Sequence, residues 1–211
     1  MSRLRYNRRQ AVDYLRSQCR HLGRFIDEYG PLKLRVTRNA DLFNTLSVAI
    51  VYQQLSGKAA ATIHGRFSRL FANEVPEAVQ VAGLSMEQLR GVGLSHNKAL
   101  AIQDLAEKSL DGTLKPLHRM ARLDDEEVIE NLCAVRGIGP WTAQMFLIFD
   151  LGRPDVMPAT DLGVQKGVQA VYGAPDLPAP SEVLDRTRHL APYRSAASWY
   201  FWKVADTPLM T

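Results

Sequence analysis

Apolar residues recur along this chain every three or four positions, the spacing of one buried helical face. Over residues 9–29 the stripe is Val12, Leu15, Leu22, Phe25 and Ile26, and it stops at Gly30-Pro31. Leu42, Phe43, Leu46, Ala49, Ile50 and Val51 mark a helix over 42–55, opened by Asp41 as N-cap and broken at Ser56-Gly57. Further helices are predicted over 58–71, 76–81 and 97–110. Ser85 with Gln88, and Asp124 with Glu127, have the spacing of capping boxes, which start helices ending near Gly91 and Ala134. The pattern resumes over 141–149, 162–172, 181–190 and 192–204. Gly152, Pro154 and Pro158 keep the stretch before Asp161 irregular. Only Leu32–Val36 alternates like a short extended piece. The expected fold is all-α, about ten helices with short links.

Bulk properties narrow the partners. The 211 residues are 46% hydrophobic and 23% charged, as in an ordinary globular chain with a sizeable core. The net charge of +4 suits a polyanionic partner without requiring one. It is unevenly placed: ten arginines and lysines lie between Arg3 and Arg38, against Asp13, Asp27 and Glu28. Two distant cysteines, Cys19 and Cys133, imply no disulfide framework and are too few for a four-cysteine cluster or zinc site. No apolar run has the length of a membrane span and no signal core opens the chain, so a cytoplasmic, nucleoid-associated or nuclear monomer is expected.

The chemistry concentrates at Val135-Arg136-Gly137-Ile138-Gly139-Pro140-Trp141. Two glycines around one apolar residue make a cramped, side-chain-poor turn. Pro140 fits the first helical position. The helix after it opens with N–H groups and positive dipole character, which can grip a phosphate. One irregular loop later, Asp161 stands at another helix start. An anion grip near a placed carboxylate points to chemistry on a nucleic acid, although such a turn also serves as a plain helix connection and such an aspartate as a plain cap.

With these residues in view the chain resembles the helix-hairpin-helix (HhH-GPD) DNA glycosylases, in particular the 3-methyladenine DNA glycosylase II branch. The resemblance is carried by Leu132–Val168, with Trp141-Thr142-Ala143 and Asp161-Leu162-Gly163-Val164. It extends to Tyr52–Ala60, Gly91–Ala99 and Pro192-Tyr193-Arg194-Ser195. It implies two helical subdomains flanking a cleft, 1–40 with 158–211 and 41–157. Larger members add an N-terminal sheet domain, for which this chain is expected to be too short.

What the resemblance implies is base excision by a DNA glycosylase acting on double-stranded DNA with alkylated bases such as 3-methyladenine and 7-methylguanine. Asp161 takes the catalytic position, with Asp155 and Asp150 as rivals in the same loop. Trp141 occupies the place held by a Schiff-base lysine in members that also nick the strand, so water is the expected nucleophile, with an abasic site as product. Trp141, Tyr193, Met145 and Gln53 are the candidate base-pocket residues. Relatives often carry an aromatic in place of Met145. Gly137 and Gly139 are expected to position phosphate through main-chain amides, and His96 to fill the gap left by the flipped base. Lys58, Lys98, Lys166 and Arg194 are candidate phosphate contacts. The carbonyls of Cys133, Val135 and Gly137 match a monovalent cation site for Na+ or K+; no other cofactor is implied. Trp199, Tyr200 and Trp202 are expected in the core or rim of the last helix. Two alternatives stay open: a non-catalytic DNA-binding module, and a glycosylase for an oxidised or mismatched base.

Overall fold

The structure is a computed structural model and describes residues 3–37 and 41–207. Among these it is helical without a strand, thirteen α-helices and one 3₁₀ turn. The chain divides into a terminal unit, Met1–Arg38 with Gln144–Thr211, and a central unit, Asn39–Ala143.

The terminal unit opens with α1 (Arg8–Gln18) and α2 (Arg20–Tyr29). The single apolar stripe over 9–29 therefore belongs to two helices. Cys19 between them is extended, at φ −140° and ψ 105°. Gly23 lets them meet closely, because a Cβ there would lie 3.3 Å from the Arg16 main chain. After Gly30, Leu32 and Leu34 are buried while Lys33 and Arg35 are exposed, the alternation expected of an extended piece. No ladder forms: the Leu34 carbonyl accepts from Arg8, and Thr37 N–H donates to Phe149.

The central unit holds α3 (Leu42–Tyr52), α4 (Gly57–Ser68), α5 (Ala78–Ala82), α6 (Met86–Gly91), α7 (His96–Leu110), α8 (Leu117–Met120) and α9 (Asp125–Cys133). Caps set most of the starts. Asp41, Ser56 and Ser95 each accept the N–H three residues on. Both capping boxes form, at Ser85 with Gln88 and Asp124 with Glu127. The helix expected over 42–55 stops at Tyr52 because Gln53 is extended and Gln54 is left-handed, φ 55°. The one-turn α8 has no apolar period to announce it. Leu46, Ile50, Phe67, Ile102 and Leu105 are the fully buried centre. Each contributes roughly 1.5–3 kcal/mol.

The second division of the chain falls between Ala143 and Gln144, inside α10 (Pro140–Phe149), and not after Met157 as the sequence suggested. The loop before Asp161 is bound to the last helix. Val156 N–H donates to Ser195 Oγ (2.9 Å), Ser195 N–H to the Pro154 carbonyl (3.0 Å), and Ser198 Oγ to the Val156 carbonyl (3.2 Å). The first division, expected after Ala40, lies outside the described residues.

The chain continues with α11 (Leu162–Tyr172), α12 (Pro180–Thr187) and α13 (Arg194–Asp206). Gly173, left-handed at φ 64°, stops α11. The helix foreseen over 181–190 tightens into a 3₁₀ turn at Arg188–Leu190, and α13 begins two residues later than Pro192. α11 packs on α13 through Gly167, where any Cβ would run into the Phe201 main chain.

Candidate active site

The hairpin is the 134–139 turn between α9 and α10. Gly137 sits at φ 78°, a left-handed conformation, and a Cβ there would meet Ala101 of α7 at 3.2 Å. Gly139 has nothing within 4 Å of a notional Cβ, so its missing side chain leaves an open approach rather than relieving a clash. Neither the Gly137 nor the Gly139 N–H has an acceptor among the described residues. Arg136 N–H donates to Asp104 Oδ2 (2.6 Å), and Asp104 is held by Lys108 at 2.7 and 2.8 Å.

Gln53 Nε2 donates to the Gly137 carbonyl at 2.8 Å. One of its amide donors therefore braces the hairpin, a use different from contacting a base. Lys98 is not a solvated phosphate ligand. Its ammonium donates to the Val51 and Gln53 carbonyls, both at 2.7 Å, and closes the C-terminal end of α3. Burial there pushes its pKa below the ordinary lysine value. Lys98, Ala101 and Asp104 recur at helical spacing on α7, so one helix supports the end of α3, the Gly137 backbone and the Arg136 amide. Trp141 is 44% exposed, which rejects plain core packing for it. Lys58 is exposed, and His96 is exposed at the first position of α7 rather than in a turn before it.

The acid-bearing part lies in the terminal unit. Asp161 caps α11: its Oδ1 accepts from Val164 N–H at 2.9 Å and from Trp202 Nε1–H at 2.7 Å. The side chain is half-buried. Trp202 stacks on Phe149, with ring centroids 5.7 Å apart and 25° between planes. Gly163 makes the arrangement possible. A Cβ at 163 would lie 2.8 Å from the Trp202 ring and 3.1 Å from Asp161 Oδ1. The glycine of Asp161-Leu162-Gly163-Val164 thus has a steric reason.

Trp202, expected only as core or rim, is the residue that sequence reasoning missed. It lies 41 positions from its partner, and no local pattern links them.

The rival aspartates separate by environment. Asp155 is paired with Arg194: Nε and Nη2 donate to its two oxygens at 2.7 and 2.8 Å, and Arg194 N–H adds a 3.2 Å bond. This bidentate pair commits the guanidinium inside the protein and removes Arg194 from the phosphate contacts. Asp150 follows the end of α10, where burial pushes its carboxyl up to about 6. Tyr193 is half-buried at the N-cap of α13, against Tyr14 (5.3 Å between centroids) and Tyr6 (5.9 Å). Met145 is half-buried within α10, and Lys166 is exposed on α11. Among the described residues no group of His, Cys, Asp and Glu could hold a metal ion, and no helix is long and apolar enough to cross a membrane.

Residues 48–192 match the profile of the HhH-GPD superfamily base excision DNA repair proteins. The chain is 34% identical over 187 residues to DNA-3-methyladenine glycosylase 1 of Schizosaccharomyces pombe, covering 88% of this chain and 81% of that protein. A solved structure of the fission-yeast 3-methyladenine DNA glycosylase, in complex with abasic DNA, superposes with a TM-score of 0.83 at 32% identity, over 96% of this chain and 99% of that one. The DNA-3-methyladenine glycosidase of Bacillus halodurans superposes with a TM-score of 0.84 at 35% identity, over 93% and 89%. The chain belongs to the HhH-GPD superfamily of base excision DNA repair proteins.

Proposed function

We infer that this chain is a DNA glycosylase that releases alkylated bases such as 3-methyladenine from double-stranded DNA by hydrolysis and leaves an abasic site. The observation that carries the reading is Asp161, a carboxylate held by the first turn of α11 and by Trp202 within the family's own motif.

One carboxylate suffices for this chemistry. Glycosidases that cleave a sugar–oxygen bond need a second group to protonate the leaving oxygen. A purine alkylated at N3 or N7 already carries positive charge. When its bond to C1′ breaks, the electron pair moves onto the base and neutralises it, so no acid is needed. The sugar becomes oxocarbenium-like, and Asp161 offsets that charge and orients water. Water oxygen bonds to C1′ and its proton passes to the carboxylate or to solvent. Val164 N–H and Trp202 Nε1–H fix the carboxylate before the reaction, so little reorganisation is left for the transition state.

Trp141 supplies an exposed aromatic face in place of an amine, which supports hydrolysis without strand nicking. Stacking a cationic base on it contributes roughly 0.5–2 kcal/mol. That is too little for full selectivity, so the cheaper extrusion of a damaged base supplies the rest. Tyr193 and Met145 are further proposed base contacts, and exposed His96 is the proposed wedge. Gly137 and Gly139 offer amides to a DNA phosphate, and Lys58 adds charge.

A monovalent cation on the carbonyls of Cys133, Val135 and Gly137 fits the chemistry of the turn. Val135 and Gly137 carbonyls each already accept one hydrogen bond, from Ile138 N–H and Gln53, and each oxygen has a second lone pair. When bound, such an ion would place positive charge beside the phosphate amides.

The test is single-turnover release of 3-methyladenine from methylated duplex DNA, with borohydride trapping as a control for a Schiff base. Asp161→Asn is expected to lose about 10²–10³-fold in rate while keeping its affinity for abasic duplex, and no protein should be trapped. Release at the wild-type rate by the variant would overturn the reading.

A further inference from the structure

The basic stretch near the N-terminus lies outside residues 48–192 of the family match and is unexplained by the chemistry above. Three of its arginines come together in the terminal unit. Arg3, Arg8 and Arg35 line a cavity of about 780 Å³ with Tyr6 and Asn7, and no carboxylate lines it. None of the three arginines has an ion pair among the described residues, whereas Arg9 and Arg16 are paired with Asp13, and Arg16 also with Asp27. Arg8 donates to the Leu34 carbonyl, and Arg3 and Arg35 are exposed.

The phenol oxygen of Tyr6 is buried without a hydrogen-bond partner. Solvent does not reach it, so the donors that the cavity offers are the arginines. Arg8 is also the first residue of α1, whose N-terminal dipole adds positive character to the same place.

The wall is firmly built. Arg5 N–H donates to the Gly152 carbonyl (3.0 Å), and Gly152, at φ 63°, has no room for a Cβ against the Arg3 and Leu4 main chain. The segment bearing Arg3 is therefore seated on the loop that leads to Asp161. Tyr6 in turn packs on Tyr193, a proposed base-pocket residue.

We propose that this arginine-lined cavity binds a backbone phosphate of the DNA, with Arg3, Arg8 and Arg35 supplying charge. The proposal rests on the reading of the chain as a DNA-acting enzyme. It adds a phosphate contact outside the hairpin.

The experiment measures affinity for an abasic duplex across salt concentrations, for the full chain and for one double variant. Arg3→Gln/Arg35→Gln removes two exposed charges. The slope of log K against log salt should fall in magnitude by about one, the contribution of a single phosphate, with a several-fold loss of affinity at low salt.

Single-turnover base release at saturating protein should be unchanged in the double variant, because neither arginine belongs to the proposed catalytic machinery. Unchanged salt slopes in a protein that releases base would overturn the proposal and leave the enzyme reading intact. An altered slope in a protein that releases no base would support the site and overturn the enzyme reading instead. A thermal-shift titration with inorganic phosphate separates the sources. Stabilisation of the wild type but not the double variant, with equal DNA slopes, would mark a free-anion site and overturn the DNA assignment.

Discussion

The hairpin at 134–139 presents main-chain amides, whereas the loop at 150–161 presents a side-chain carboxylate, and the surroundings of each differ to match. Around the hairpin, side chains serve the backbone. Gln53 holds the Gly137 carbonyl, Asp104 holds the Arg136 amide, and Ala101 packs beneath Gly137. Around Asp161 the backbone serves a side chain. The Val164 amide and an empty position at Gly163 let Trp202 reach the carboxylate. A grip made of amides is insensitive to what its own side chains are, and sensitive to any Cβ that blocks the approach. A carboxylate is sensitive to its identity and to whatever fixes its orientation.

Breaking the acid side should give the larger effects. Trp202→Phe keeps the stack on Phe149 and removes the Nε1–H donor. A hydrogen bond to a charged group contributes about 1.5–3 kcal/mol. If that is felt in the transition state, the single-turnover rate falls about 10- to 100-fold. Melting temperature and affinity for abasic duplex should stay near wild type. Equal losses in rate and stability would reduce Trp202 to a packing residue.

Asp150 tests whether the loop's other carboxylate belongs to chemistry or to stability. Its folded pKa is raised to about 6 from an ordinary value near 4. The folded chain then binds this proton more tightly than the unfolded chain, so stability falls as pH rises through that window. Asp150→Asn is expected to be more stable than the wild type by about 1–3 kcal/mol at pH 8 and equal to it below pH 4, by thermal denaturation. Its base-release rate should be retained; a loss like that of the Asp161 variant would move the catalytic role.

On the hairpin side, Gly139→Ala adds a methyl where the protein itself leaves open space. Stability should hold, and affinity for duplex DNA should fall about tenfold if a phosphate approaches there. Unchanged affinity would remove Gly139 from the interface.

The smallest effect sharpens the account of Lys98. Lys98→Met leaves the Val51 and Gln53 carbonyls without their donor, which costs about 1–2 kcal/mol of stability. The salt dependence of DNA binding should not change. A slope reduced by about one at constant melting temperature would restore Lys98 as a phosphate ligand.

Legibility followed the range of each interaction. The caps at Asp41, Ser85, Asp124 and Asp161 were readable because a capping bond spans three residues. The apolar stripes over 97–110 and 162–172 were readable for the same reason. The break at Cys19 was not, because the stripe runs on across it and only the packing of Gly23 on Arg16 requires the fold-back.

By itself the sequence determined an all-helical chain, the side-chain-poor hairpin and an aspartate at the start of α11. All three depend on contacts a few residues apart. Tertiary structure decided which charged groups are available. Arg194 and Lys98 look like DNA contacts in the sequence and are committed inside the fold, whereas Arg3, Arg8 and Arg35 are gathered around one cavity. It also decided that Trp202 fixes Asp161. A charge or a donor acts through space over a few ångströms, and only folding sets which distant residues come that close.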